Sequence, residues 1–195
     1  MVSVSWRTID EQMRAYLPDL NGLGLTNDVA SKLATHISAD VRFLTLDQKA
    51  EIRAASPVPL QDRIEELKAF QGWMELASTI KGDPRVTRAQ SLSQNYICFV
   101  YLPEACFKIL AKVSPSGSAA KTCSKFLSNN PVRAFRNAIA HANWMYRDDF
   151  GAIVYWARKG DSPMEPLSRF EVDERTLNYW QKLSRCVSYA AFLNL

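Results

Sequence analysis

Apolar residues recur every three or four positions in almost every stretch between this chain's prolines, a period that packed helices satisfy and strands do not. Residues 7–18 set Ile9, Met13, Tyr16 and Leu17 on one side, with Pro18 disturbing the end. Residues 26–44 open on Thr26-Asn27-Asp28 and carry Val29, Leu33, Ile37 and Val41 at helical spacing. After the rigid break at Ser56-Pro57-Val58-Pro59, residues 60–80 line up Ile64, Leu67, Phe70, Met74 and Ala77. A further break at Gly82-Asp83-Pro84 leads into a long helix over 85–113, kinked or split at Pro103.

Two short stretches depart from that period. Gly151–Arg158 holds Ile153, Val154, Tyr155 and Trp156 in succession, and Leu167–Val172 alternates, so a hairpin is expected across a polar loop with Gly160 and Pro163. A short helix over Ala119–Leu127 precedes them. A final amphipathic helix follows Asp173, carrying Leu177, Trp180, Leu183, Val187, Ala190 and Ala191. The expected fold is therefore all-α, a helical bundle with one small β-hairpin between its last two helices. Its divisions are a helical extension over 1–84 and a main domain over 85–195, or one compact unit overall.

At 195 residues, 47% of them apolar, the chain can bury a core without staples. Its net charge of +4 permits an anionic partner without requiring one. No stretch reads as a signal peptide or a membrane span. Cys98, Cys106, Cys123 and Cys186 form no Cys-x-x-Cys pair, so free buried thiols and a cytoplasmic setting are expected. Two histidines, His36 and His141, are a poor start for a zinc site, and no metal or other cofactor is expected.

The helix from Pro131 to about Trp144 is the informative one. Asn130 is its expected N-cap, with Pro131 at the first helical position. At about 100° per residue, Val132, Phe135, Ala138, Ile139 and Ala142 share one arc, the core side. Arg133, Arg136, Asn137, Ala140 and His141 share the other. A core histidine would sit beside Phe135 and Ile139; His141 does not. A solvated polar face or a dimer contact is the plain reading of such an arc.

The text Arg136-Asn137-Ala138-Ile139-Ala140-His141, late in a helical chain and followed by one more helix, resembles the HEPN superfamily. Its signature is Arg, a polar residue, three to five further residues, then His. The likeness is specific over Val132–Trp144 and architectural over 85–195. It implies a helical bundle that dimerises across the motif helix. It further implies a metal-independent endoribonuclease of the kind found among toxins and defence effectors, with RNA as substrate and an antitoxin or nucleotidyltransferase as a possible partner.

On that reading His141 is the general acid or base, since imidazole exchanges a proton near neutral pH. Arg136 steadies charge on phosphate. Asn137, one turn before His141, orients the imidazole or contacts ribose. Arg133 and Arg147 border the site and hold flanking phosphates of the RNA. The alternatives are a non-catalytic RNA-binding or protein-interaction module and a nucleotide-binding domain.

Other features have simpler uses. His36 is expected to be structural, and Asp148 and Asp149 form an acidic turn rather than a metal site. Trp144, Tyr146, Tyr155 and Trp156 can stack on bases but suit core or hairpin packing. Lys108, Lys112, Lys121 and Lys125 read as a solvated face. Asn21-Gly22-Leu23-Gly24 reads as a connector.

Overall fold

The computed structural model describes residues 27–55, 58–78, 84–101, 104–149, 151–158 and 162–195. The expected helix over 7–18, the Gly22–Gly24 connector, Pro103 and Gly160 lie outside the described residues, as do the side chains of Leu67, Met74 and Ala77. What is described is mostly helical with one small antiparallel sheet.

Helix α1 (Asn27–Arg42) buries Val29, Leu33, Ile37 and Val41, the four residues its spacing singled out. A short helix, α2 (Leu46–Ala54), follows at once, where the sequence suggested none. It starts on a reciprocal cap: Gln48 N–H donates to Thr45 Oγ1 at 3.2 Å, and Thr45 N–H donates to Gln48 Oε1 at 2.9 Å. Helix α3 (Leu60–Ser78) precedes α4 (Pro84–Tyr96). The end of this run is not α-helical: Ile97–Tyr101 forms a π-helical segment, and the next described element is helix α5 (Glu104–Val113).

Helix α6 (Ala119–Ser128) is capped from two directions. Ser118 Oγ accepts from Lys121 N–H at 3.2 Å, and Asp40 of α1 reaches across to accept from Ala120 N–H at 2.9 Å. That second bond ties the orphan amides of one helix to the side of another. Helix α7 (Val132–Ala140) leads into strand β1 (Trp144–Tyr146). Strands β2 (Ala152–Ala157) and β3 (Ser168–Asp173) follow, in the sheet order β1-β2-β3. The expected hairpin is β2 with β3, pairing Tyr155 with Phe170; β1 adds an outer strand, Trp144 opposite Tyr155. Helix α8 (Glu174–Phe192) closes the chain, with Asp173 Oδ1 accepting from Thr176 N–H at 2.6 Å at its start.

A single apolar cluster runs from Val29 to Phe192 and draws on α1, the π segment, α5 to α8 and the sheet. Phe135 sits at its centre with no exposure. It meets Phe99, Tyr155 and Trp180 with ring centroids 5.2, 5.2 and 5.6 Å away. Where α8 lies along α1, Cys186 Sγ donates to the Ala30 carbonyl at 3.3 Å. All four cysteines are free; Cys98, Cys106 and Cys123 are buried and Cys186 is half-buried. Burial pushes the thiols of Cys98, Cys106 and Cys186 up to about 12 and raises that of Cys123 as well, so they are protonated and inert near neutral pH.

Candidate functional site

Helix α7 is short and strongly two-faced. Val132, Ala134, Phe135, Ala138 and Ile139 are buried, Arg133 and Arg136 are half-buried, and Asn137, Ala140 and His141 are exposed. Packing of Phe135 against two other helical segments and β2 fixes the rotation of the helix. That rotation turns the Arg136, Asn137 and His141 side of the helix away from the core.

Both ends of the helix differ from the sequence reading. Asn130 is not the N-cap. The Asn130–Pro131 peptide is cis, and Pro131 takes the cap position, where it offers the first turn no side-chain hydrogen bond. At the other end the helix stops at Ala140 rather than near Trp144, with His141 as the C-cap residue. Ala142 then adopts a left-handed conformation, φ 55°. Its amide donates to the Ile139 carbonyl at 3.2 Å, and the Asn143 amide to the Ala138 carbonyl at 2.8 Å. This pair of reversed bonds is the Schellman ending, usually built on glycine. Ala142, expected on the core arc, is exposed as a result.

Arg136 and Asn137 are joined directly: Arg136 Nη2 donates to Asn137 Oδ1 at 2.5 Å. The guanidinium is partly desolvated, which lowers its pKa from the ordinary arginine value. Asn137 and His141 are one turn apart, and the His141 amide donates to the Asn137 carbonyl at 3.1 Å. Their side chains share no hydrogen bond among the described residues. The structure thus brings Arg136 and Asn137 into contact and leaves the imidazole of His141 solvent-facing beside them.

Arg147 is elsewhere. Strand β1 carries the chain away from the end of α7, and Arg147 begins the turn at the strand's far end. There its Nε and Nη2 grip Asp149 at 2.7 and 2.6 Å, while Nη1 holds Glu171 at 2.8 Å. The same contact holds the Asp149 carboxyl down at about 2, with help from the Gly151 amide. A guanidinium flanked by two carboxylates is poorly placed to attract phosphate. Arg133, by contrast, stays on α7 at the border of the motif.

The remaining candidates fall into place simply. His36 is exposed on α1. Tyr155 is buried and stacks on Phe170, rings 5.4 Å apart; Trp144 meets Tyr146 edge-on at 5.6 Å. Lys112 pairs with Glu51 and Lys121 donates to the Ser114 carbonyl, each at 2.8 Å; Lys108 and Lys125 are exposed. Among the described residues no group of three His, Cys, Asp or Glu side chains is placed to hold a metal ion, and no helix is long and apolar enough to cross a membrane.

Sequence reasoning missed one polar feature inside the molecule. Gln181 and Asn95 are both buried, and Gln181 Nε2 donates to Asn95 Oδ1 at 2.6 Å. The signal was present: Gln181 is four residues after Leu177, on the apolar stripe of α8, where a polar residue demands a partner. Compared with known proteins, the chain matches no family model, no curated protein and no solved structure.

Proposed function

We propose that the chain is a HEPN-type endoribonuclease that works without a metal, cleaves single-stranded or loop RNA, and acts as a homodimer. The observation that carries this reading is the grouping of Arg136, Asn137 and His141 on the outward side of a helix whose rotation is set by Phe135. His141, exposed, can take the proton from a ribose 2′-OH as O2′ attacks phosphorus, or give one to the departing 5′-oxygen. Arg136 meets the charge that builds on the phosphoryl oxygens.

Each protomer carries one such histidine. A symmetric pair of α7 faces supplies two, one for each proton transfer. Exposed Ala140 between Asn137 and His141 keeps the face low enough for a second copy to approach.

The test is incubation of the full chain with single-stranded RNA in EDTA. Cleavage is expected, falling roughly a hundred- to ten-thousandfold in His141→Ala and comparably in Arg136→Ala. No cleavage, or cleavage that survives both substitutions, sinks the reading. Growth arrest on overexpression that depends on His141 would add support for a toxin or defence role.

One observation favours a second reading, a non-catalytic RNA-binding or protein-interaction module. Asn137 Oδ1 is engaged by Arg136 and so does not orient the imidazole. In that case His141→Ala alters RNA retention or oligomeric state, and neither form cuts.

A further inference from the structure

A cleft of about 410 Å³ opens between α4, the β1–β2 end of the sheet and the first turns of α8. Arg136, Asn137 and His141 do not line it. Its walls combine two kinds of surface. Ser91 and Gln94 from α4 face Asn178 and Gln181 from α8, four neutral side chains that donate and accept hydrogen bonds. Ala152 and Ile153 of β2 and Leu177 of α8 supply an apolar floor, with the ring of Tyr146 beside it.

Gln181 is the built part of this site. It is 2% exposed, yet it lines the cleft. Its Nε2 is engaged by Asn95, a residue with no exposure that does not line the cleft. Its Oε1 takes no part in that bond, and Asn95 Nδ2, buried behind it, is without a partner among the described residues. Turning both amides over exchanges oxygen for nitrogen and leaves the same deficit. An amide held from behind at a cleft wall, with its other polar atom not used in that bond, is fixed in place to meet a ligand with a matching group.

We propose that this cleft binds a single nucleobase. A base is flat, so it can lie on Ile153, Leu177 and the Tyr146 ring. Its edge carries donors and acceptors side by side, the pattern that Asn and Gln amides pair with. Of the charged groups at the walls, Asp149 is already held by Arg147, which leaves Arg88 against Glu174 and no net positive charge to draw a phosphate inside. Glu174 instead offers an acceptor to an exocyclic amine, which favours adenine and cytosine over uracil. The inference does not rest on the ribonuclease reading. The five-residue step from His141 to Tyr146 nevertheless spans at most about 18 Å, so one RNA strand can reach both places.

The experiment uses the full chain carrying His141→Ala, so that no cleavage confuses binding. Calorimetric titrations with adenosine, cytidine, uridine, a single-stranded RNA octamer and its abasic counterpart read the site. Saturable binding of adenosine or cytidine, weaker binding of uridine, and a roughly tenfold loss in Gln94→Ala and Asn178→Ala are expected, with thermal midpoints unchanged. Saturation by free nucleosides identifies a free ligand, and saturation by the octamer alone identifies a base within a strand; both support the pocket. The proposal is overturned if nothing saturates, if the abasic octamer binds as well as the intact one, or if neither substitution changes affinity.

Discussion

The amide of Asn143 donates to the carbonyl of Ala138 at 2.8 Å, and this bond ends the helix immediately behind His141. It requires Ala142 to sit at φ 55°, where a Cβ crowds the following carbonyl oxygen at a cost of roughly 1–2 kcal/mol.

Glycine removes that crowding but adds freedom to the unfolded chain, so the gain is smaller than the strain. Ala142→Gly is expected to stabilise the fold by about 0.5–1 kcal/mol, or about 2 °C in Tm. Ala142→Val, branched at the same atom, is expected to destabilise. Thermal unfolding followed by circular dichroism measures both. An Ala142→Gly variant that melts lower would show that the left-handed ending is not what holds this junction.

The motif residues should separate cleanly from the fold. His141 and Asn137 are exposed, and their side chains bear no core contact, so each alanine variant is expected to stay within about 0.5 kcal/mol of the parent in urea unfolding. Arg136 is half-buried, and its alanine variant is expected to lose more, through packing of its stem. A large loss in His141→Ala would give the histidine a structural task instead.

Phe135 is where the fold is most sensitive. It is fully buried and meets three aromatic rings, so Phe135→Ala is expected to cost roughly 3–5 kcal/mol. Because the same residue sets the rotation of α7, the variant should lose any activity of the motif even where it remains folded. Activity kept at full strength in a destabilised but folded Phe135→Ala protein would uncouple the site from the core.

The Arg147 clamp predicts a pH dependence with a definite sign. Asp149 has its folded pKa lowered from 3.8 to about 2, so folding favours the charged carboxylate. The contribution is complete above roughly pH 4, declines as pH falls through about 2, and vanishes below it. The groups are exposed, so the effect is small. The Tm difference between parent and Arg147→Ala is expected to hold from pH 7 to 5 and to close between pH 4 and 2. A difference that widens on acidification would contradict the pairing.

Much of this was legible in the sequence because it depends on local periodicity. The stripes of α1 and α8 and the two faces of α7 follow from residue spacing alone, and Asp173 announces the start of α8. Helix α2 carried its own signal, Thr45 with Gln48 three residues on, but a helix with Ile52 as its buried residue has no apolar stripe to notice. The end of α7 was harder. Nothing in Ala142 advertises a left-handed turn, and Trp144 leaves the helix because it pairs with Tyr155, eleven residues on. The cleft depends on contacts between segments more than eighty residues apart, as in Gln181 with Asn95, and no local pattern encodes those.

The π-helical segment Ile97–Tyr101 bears on how this chain tolerates insertions and deletions. Such a turn holds one residue more than the α-helix around it. Deleting any residue there would let an ordinary helix form. Because the bulge already absorbs that residue, the helix upstream would keep its phase, with Asn95 still toward Gln181 and Ser91 and Gln94 still at the wall of the cleft. A residue lost within regular α-helix turns what lies beyond it by about 100°. A single lost codon is therefore better borne in this turn than between Ser91 and Asn95, where it would break the cleft wall apart.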